Sequence, residues 1–126
     1  MKKKEHDVVV EISNLALAKQ IKEAMQDSTE LLTSCYTWKT QEIDIFVRGN
    51  QMQQVSYPKV AFETEANGIR KSTYDMMIDM VYKLVKDCKE PFGQCLFEIR
   101  YEAGQEGTDF SNFSIKPRVT EHFKRH

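Results

Sequence analysis

The feature that most constrains this chain is a change of hydrophobic period at Pro91. Between Ser72 and Lys89, the residues Tyr74, Met77, Ile78, Val81, Leu84, Val85 and Cys88 recur at three- and four-residue steps, within an arc of roughly 120° on a helical wheel. Asp75, Asp79, Lys83, Lys86 and Asp87 take the opposite side, with Asp79 and Lys83 spaced as an i,i+4 ion pair. Ser72 is the predicted cap, with Asp75 three residues on. Pro91 has no amide hydrogen and biases Glu90 away from helical backbone, so the spacing predicts a helix ending near Lys89.

Beyond Pro91 the period is two. Cys95, Phe97, Ile99 and Tyr101 alternate with Leu96, Glu98, Arg100 and Glu102, which predicts a strand with the first set covered and most of the second in water. The run from Ala103 to Gly107 contains two glycines suited to positive backbone dihedrals, and Phe113 and Ile115 lead a second strand of the same parity. Phe110 is out of phase, which predicts a bulge or a strand that starts near Ser111.

The first half packs onto this unit. Val8, Val10 and Ile12 keep strand parity, while Leu17, Ile21, Ala24, Met25, Leu31 and Leu32 share one helical face. The expectation is a short strand or arm, then a helix from about Asn14 to Leu32 capped by Ser13 or Asn14; a helix beginning at Glu5 is the competing reading. From Cys35 to Glu65 the pattern is of strands: Ile43, Ile45 and Val47 alternate with Glu42, Asp44 and Phe46, Arg48-Gly49-Asn50 reads as a turn, and Val55 and Tyr57 begin the return. Tyr36 and Trp38 fall on the other parity and require a break near Lys39 to Gln41. Val60 and Phe62 form a further short strand. The fold class is α+β: a single antiparallel sheet of about four or five strands against two helices, in the order α-β-β(-β)-α-β-β. At 126 residues the chain is the size of a single domain, with 1–6 and 117–126 as its flexible ends.

Charge is nearly balanced, 18 basic side chains against 19 acidic, which disfavours nucleic acid and anionic membrane as partners. Its distribution is uneven: residues 72 to 116 carry five basic and eight acidic side chains, a net of −3, and the tail from Pro117 a net of +2. Cys35, Cys88 and Cys95 show no paired spacing and read as the reduced, buried thiols of a cytoplasmic protein. The amino-terminal lysines precede too short an apolar run for an export signal or membrane span. No catalytic, cofactor-binding or metal-ligating constellation is legible. His6, His122 and His126 lie near the chain ends without a companion ligand, and the Gly104 to Gly107 turn has acidic neighbours that would repel phosphate. Nucleic-acid contact could come only through Lys2 to Lys4 or through Arg118, Phe123, Lys124 and Arg125, and solvated ends are the plainer account.

The amphipathic helix ended by Glu90-Pro91-Phe92, the strand Cys95-Leu96-Phe97-Glu98-Ile99, the glycine turn and the aromatic-alternating strand together resemble the carboxy-terminal half of YezG-type immunity proteins, with Phe92 where tryptophan is usual. The resemblance spans residues 72 to 116. It implies an antitoxin that binds and blocks a cognate secreted or contact-delivered toxin domain, a nuclease in those proteins, and it implies no cofactor. Such an inhibitor needs negative charge on a rigid surface together with apolar area. The candidate partner-binding residues are therefore Glu98, Arg100 and Glu102 on the hairpin, or Asp75, Asp79 and Asp87 on the helix, with Met76 and Met80 beside them as apolar side chains that can adapt to a partner. Monomer and homodimer both stay open, because an exposed strand edge can add a partner strand. The alternative class is a small secretion-type chaperone, or another non-catalytic binding module, that would grip an extended client.

Overall fold

The computed structural model describes residues 14–58 and 67–119. The strands expected at Val8 to Ile12 and at Val60 to Phe62, and the basic end from residue 120, lie outside the described residues. Within them the order is α1 (Leu15–Asp27), α2 (Thr29–Thr37), β1 (Thr40–Arg48), β2 (Gln51–Ser56), α3 (Lys71–Asp87), β3 (Cys95–Ala103) and β4 (Phe110–Val119). The strands form one antiparallel sheet in the order β2-β1-β3-β4, so the α+β class read from the sequence is the fold.

The amino-terminal helix departs from expectation. Instead of one helix to Leu32 there are two, because Ser28 leaves helical backbone and its hydroxyl accepts from the Leu31 amide at 3.0 Å, capping α2. The second helix also absorbs Cys35 to Thr37, expected as strand. The parity conflict at Tyr36 and Trp38 thereby disappears, since these residues end a helix and flank it. The last carbonyls of α2 are satisfied by a returning segment: Asn67, Gly68 and Ile69 donate their amides to Thr37, Tyr36 and Cys35.

In α1, Leu17, Ala18, Ile21 and Met25 are buried. They face α3, whose Tyr74, Met77, Ile78, Val81 and Val85 are buried as the stripe predicts. Two members of the stripe are exceptions: Leu84, 39% exposed on its flank, and Cys88, partly exposed just past the end of the helix. The α3 helix begins at Lys71, with Arg70 at the cap position, so Ser72 lies inside it and caps nothing. It ends at Asp87, two residues before the expected stop. α1 and α3 run antiparallel: Asn14 meets Cys88 and Glu90, Lys22 Nζ lies 4.7 Å from the centre of the Tyr82 ring, and the Tyr74 hydroxyl donates to the Met25 carbonyl at 2.6 Å.

Both helices cover the same face of the sheet, where Ile43, Ile45, Val47, Phe97, Ile99 and Tyr101 complete the core. The Gly49-Asn50 turn has positive φ at both residues, the backbone that joins two antiparallel strands by two residues. At the other hairpin only Gly107 of the two glycines has positive φ; Glu106 takes the second such position, and Gly104 is kept small by the Asp109 side chain against it. Phe110 pairs with Ala103 while Asn112 pairs with Glu102, so the anticipated bulge is present at Ser111. β4 then continues through Pro117 to Val119, past the point where a flexible tail was expected. Proline is tolerated there because β4 is an edge strand.

Candidate functional site

Antiparallel pairing sets directly opposed residues on the same face, so the register defines the side of the sheet that faces away from the helices. Across β1, β3 and β4 the outward rows are Thr40, Glu102 and Asn112; Glu42, Arg100 and Ser114; Asp44, Glu98 and Lys116; and Phe46, Leu96 and Arg118. Among the described residues no helix or strand covers this side. In β1 its side chains alternate strictly with the buried set; in β3 the alternation holds from Phe97 onward, and the outward Leu96 is buried as well.

Five of the charges on this face, Asp44, Glu98, Arg100, Glu102 and Arg118, are drawn into ion pairs. Arg100 Nη1 reaches Asp44 Oδ1 at 3.0 Å, Arg100 Nη2 lies 3.9 Å from Glu98 Oε2, and Arg118 Nη2 approaches the same oxygen at 2.8 Å. Glu102 lies 4.0 Å from Lys39. The result is a chain of alternating sign, Asp44, Arg100, Glu98, Arg118, laid diagonally over three strands. This changes the expected character of the hairpin. The −3 of residues 72 to 116 does not emerge as an acidic patch, because β4 runs beyond Pro117 and brings Arg118 back onto Glu98.

Beside this ion-pair chain the face has an apolar corner. Phe46 is 37% exposed, and Leu96 opposite it is buried. A shallow hollow lies between Phe46, Leu96, Gln54 and Gln94, and another between Thr40, Glu42, Arg100, Glu102 and Ser114. Phe46 was not singled out from the sequence. The signal was its parity: in a strand whose odd positions are buried, an aromatic residue at an even position must face outward.

The helical candidates stand elsewhere. Asp75 is held by Lys71 at 2.9 Å and Asp79 by Lys83 at 3.1 Å, so both carboxylates are engaged within α3. Met76 is 41% exposed on the same helix. The helices lie across the sheet from the outward rows, so the structure brings Glu98, Arg100 and Glu102 together and separates them from Asp75, Met76 and Asp79. The two sets cannot contact one flat partner surface at once.

The loop that carries the Glu90-Pro91-Phe92 signature is fixed from within. Asn50 Oδ1 accepts from the Phe92 amide at 2.8 Å, and the Phe92 ring packs edge-on to Phe97 with centroids 4.8 Å apart. Two of the three thiols are likewise internal: burial pushes Cys35 up to about 12 and Cys95 to about 11, which keeps both protonated and poor nucleophiles. Cys88, expected to be buried with them, lies past the end of α3 and is partly exposed. Among the described residues no three His, Cys, Asp or Glu side chains are grouped to hold a metal ion, and no helix is long and apolar enough to cross a membrane. Compared with protein-family models, curated proteins and solved structures, the chain matches none.

Proposed function

We propose that this protein is a binding module that acts by occlusion, pressing the outward face of its sheet onto a folded partner domain. The partner class is the one the resemblance to YezG-type immunity proteins implies, a toxin domain of nuclease type. The observation that carries the reading is the ion-pair chain Asp44, Arg100, Glu98 and Arg118 beside Phe46. Side chains that are already immobilised lose little rotamer freedom on association, and one exposed aromatic beside them supplies an apolar anchor. Because the face alternates in sign, it suits a partner surface of mixed charge better than a uniformly basic cleft.

The test is to recover the partner from native cells by cross-linking through a photoreactive residue at position 46, and to titrate the purified pair. The reading expects a folded domain in equal stoichiometry whose activity stops when the complex forms. Phe46→Lys and Glu102→Lys should each weaken the complex about tenfold or more, about 1.4 kcal/mol, while Asp79→Lys on the helical side leaves it unchanged. A disordered client bound by two protomers would favour the chaperone class instead. Turnover by the purified chain alone would end the reading.

A further inference from the structure

The described surface carries a second apolar strip that the outward sheet face does not use. At about 100° per residue, Met80 and Leu84 border the buried arc of α3 on the side opposite Tyr82, with Met76 next to them. They are 37%, 39% and 41% exposed. Tyr82 points toward α1, where Lys22 covers it. α1 in turn sits over the β2 side of the sheet, its Gln20 side chain accepting from the Met52 amide at 2.9 Å. The methionine and leucine strip therefore faces the opposite margin, where β4 is the edge strand and its Phe113 and Ile115 are only half-buried against the core.

We propose that this margin is where a second copy of the chain docks, with β4 pairing antiparallel to its own equivalent about a two-fold axis near Ile115. The two four-stranded sheets would join into one, and the two α3 helices would meet through Met76, Met80 and Leu84. Charge placement favours this register. With the axis at Ile115, Lys116 faces Ser114, Arg118 faces Asn112 and Phe113 faces Pro117, so no like charges oppose; an axis at Lys116 would set the two lysines against each other. Pro117 lacks an N–H, and the ladder is one hydrogen bond short in each half.

The area is adequate as well. A ten-residue strand extends about 34 Å, and a sheet layer plus a helix layer is about 20 Å deep. The margin therefore offers roughly 700 Å² per copy, close to the ~800 Å² of a standard stable interface. The outward sheet face is left clear in both copies, so this inference is independent of the proposed partner.

Sedimentation equilibrium of the full chain tests it. The expected mass is twice the 14.7 kDa of one chain. Met80→Lys, alone or with Met76→Lys, should weaken the dimer about tenfold or more by forcing a charge into the contact, with circular dichroism unchanged. Phe46→Lys, on the other face, should leave the mass as it is. Hydrogen exchange should show protection of β4 amides that rises with protein concentration. A monomeric mass at every concentration overturns the proposal, as does a dimer indifferent to Met76 and Met80. A monomer that loses some other protein on Met80→Lys would also overturn it and assign the strip to that protein.

Discussion

Asn14 and Asn50, 36 residues apart, are joined side chain to side chain, the Asn50 Nδ2 donating to the Asn14 Oδ1 at 2.9 Å. Asn14 is fully buried and donates its own amide to the carbonyls of Cys88 and Glu90 at 2.9 and 3.0 Å. Asn50 accepts from Phe92 and Gly93. Two amides thus fasten the start of α1, the β1–β2 turn and the loop after α3 at one end of the molecule. Asn14→Ala would leave the Cys88 carbonyl and the Asn50 amide without partners and the Glu90 carbonyl with only the weak Cys88 thiol donor. At about 1–3 kcal/mol for a buried group left unpaired, the expected loss is about 2–4 kcal/mol in urea unfolding, large for a residue that sits just outside a helix.

Two buried tyrosines offer an internal comparison. The Tyr74 hydroxyl donates to Met25 at 2.6 Å, whereas the Tyr101 hydroxyl is buried beside the Cys35 thiol without a hydrogen bond of good geometry. Tyr74→Phe should therefore cost about 1–2 kcal/mol, and Tyr101→Phe should be neutral or slightly stabilising, because it removes a polar atom that the fold leaves poorly satisfied. Thermal unfolding of both variants under one buffer measures the difference.

The contact between Glu98 and Arg118 predicts non-additive behaviour. Glu98→Arg places a third guanidinium beside Arg100 and Arg118 and should destabilise by about 1 kcal/mol, within the range of a partly exposed pair. Adding Arg118→Glu restores opposite signs and should recover most of that loss. A double-mutant cycle on unfolding free energy reads the coupling, and additive effects would mean that the pair does not form in solution.

Stability should fall at alkaline pH. Burial raises Cys35 from the usual 9.0 to about 12 and Cys95 from 9.0 to about 11, and it raises Tyr74 and Tyr101 above their usual 10.0. The folded state thus holds these protons more tightly than the unfolded chain. The stabilisation is complete below pH 9 and is lost as pH rises from there through the folded values. Denaturation midpoints measured between pH 7 and pH 11 should decline from about pH 9. Cys35→Ser should flatten that decline even if it lowers stability at neutral pH.

The second half of the chain was legible because its periods are pure. The α3 stripe, the odd-numbered burial of β3 and the bulge at Phe110 all follow from spacing. The first half was harder, since Leu31 and Leu32 stay apolar across Ser28 and conceal the break. The cue was Asp27-Ser28-Thr29-Glu30, a helix-start signature in the middle of a helical pattern. Pro117 misled in the other direction: it reads as a strand end, yet within one chain β4 is an edge strand and can hold a residue without an N–H. The outward-facing candidates could be grouped by parity, but their neutralisation could not be seen. Asp44, Glu98 and Arg118 become neighbours only through register, and local charge counts carry no register.

Placing every helix on one side of the sheet divides the labour of each strand by parity. In β1 and β3 the odd positions answer to the core, while the even ones from Thr40 to Phe46 and from Glu98 to Glu102 answer to whatever approaches from outside. Alternate letters along three adjacent strands can therefore be rewritten, at the cost of a surface ion pair at most, while the half of the pattern that builds the core is kept.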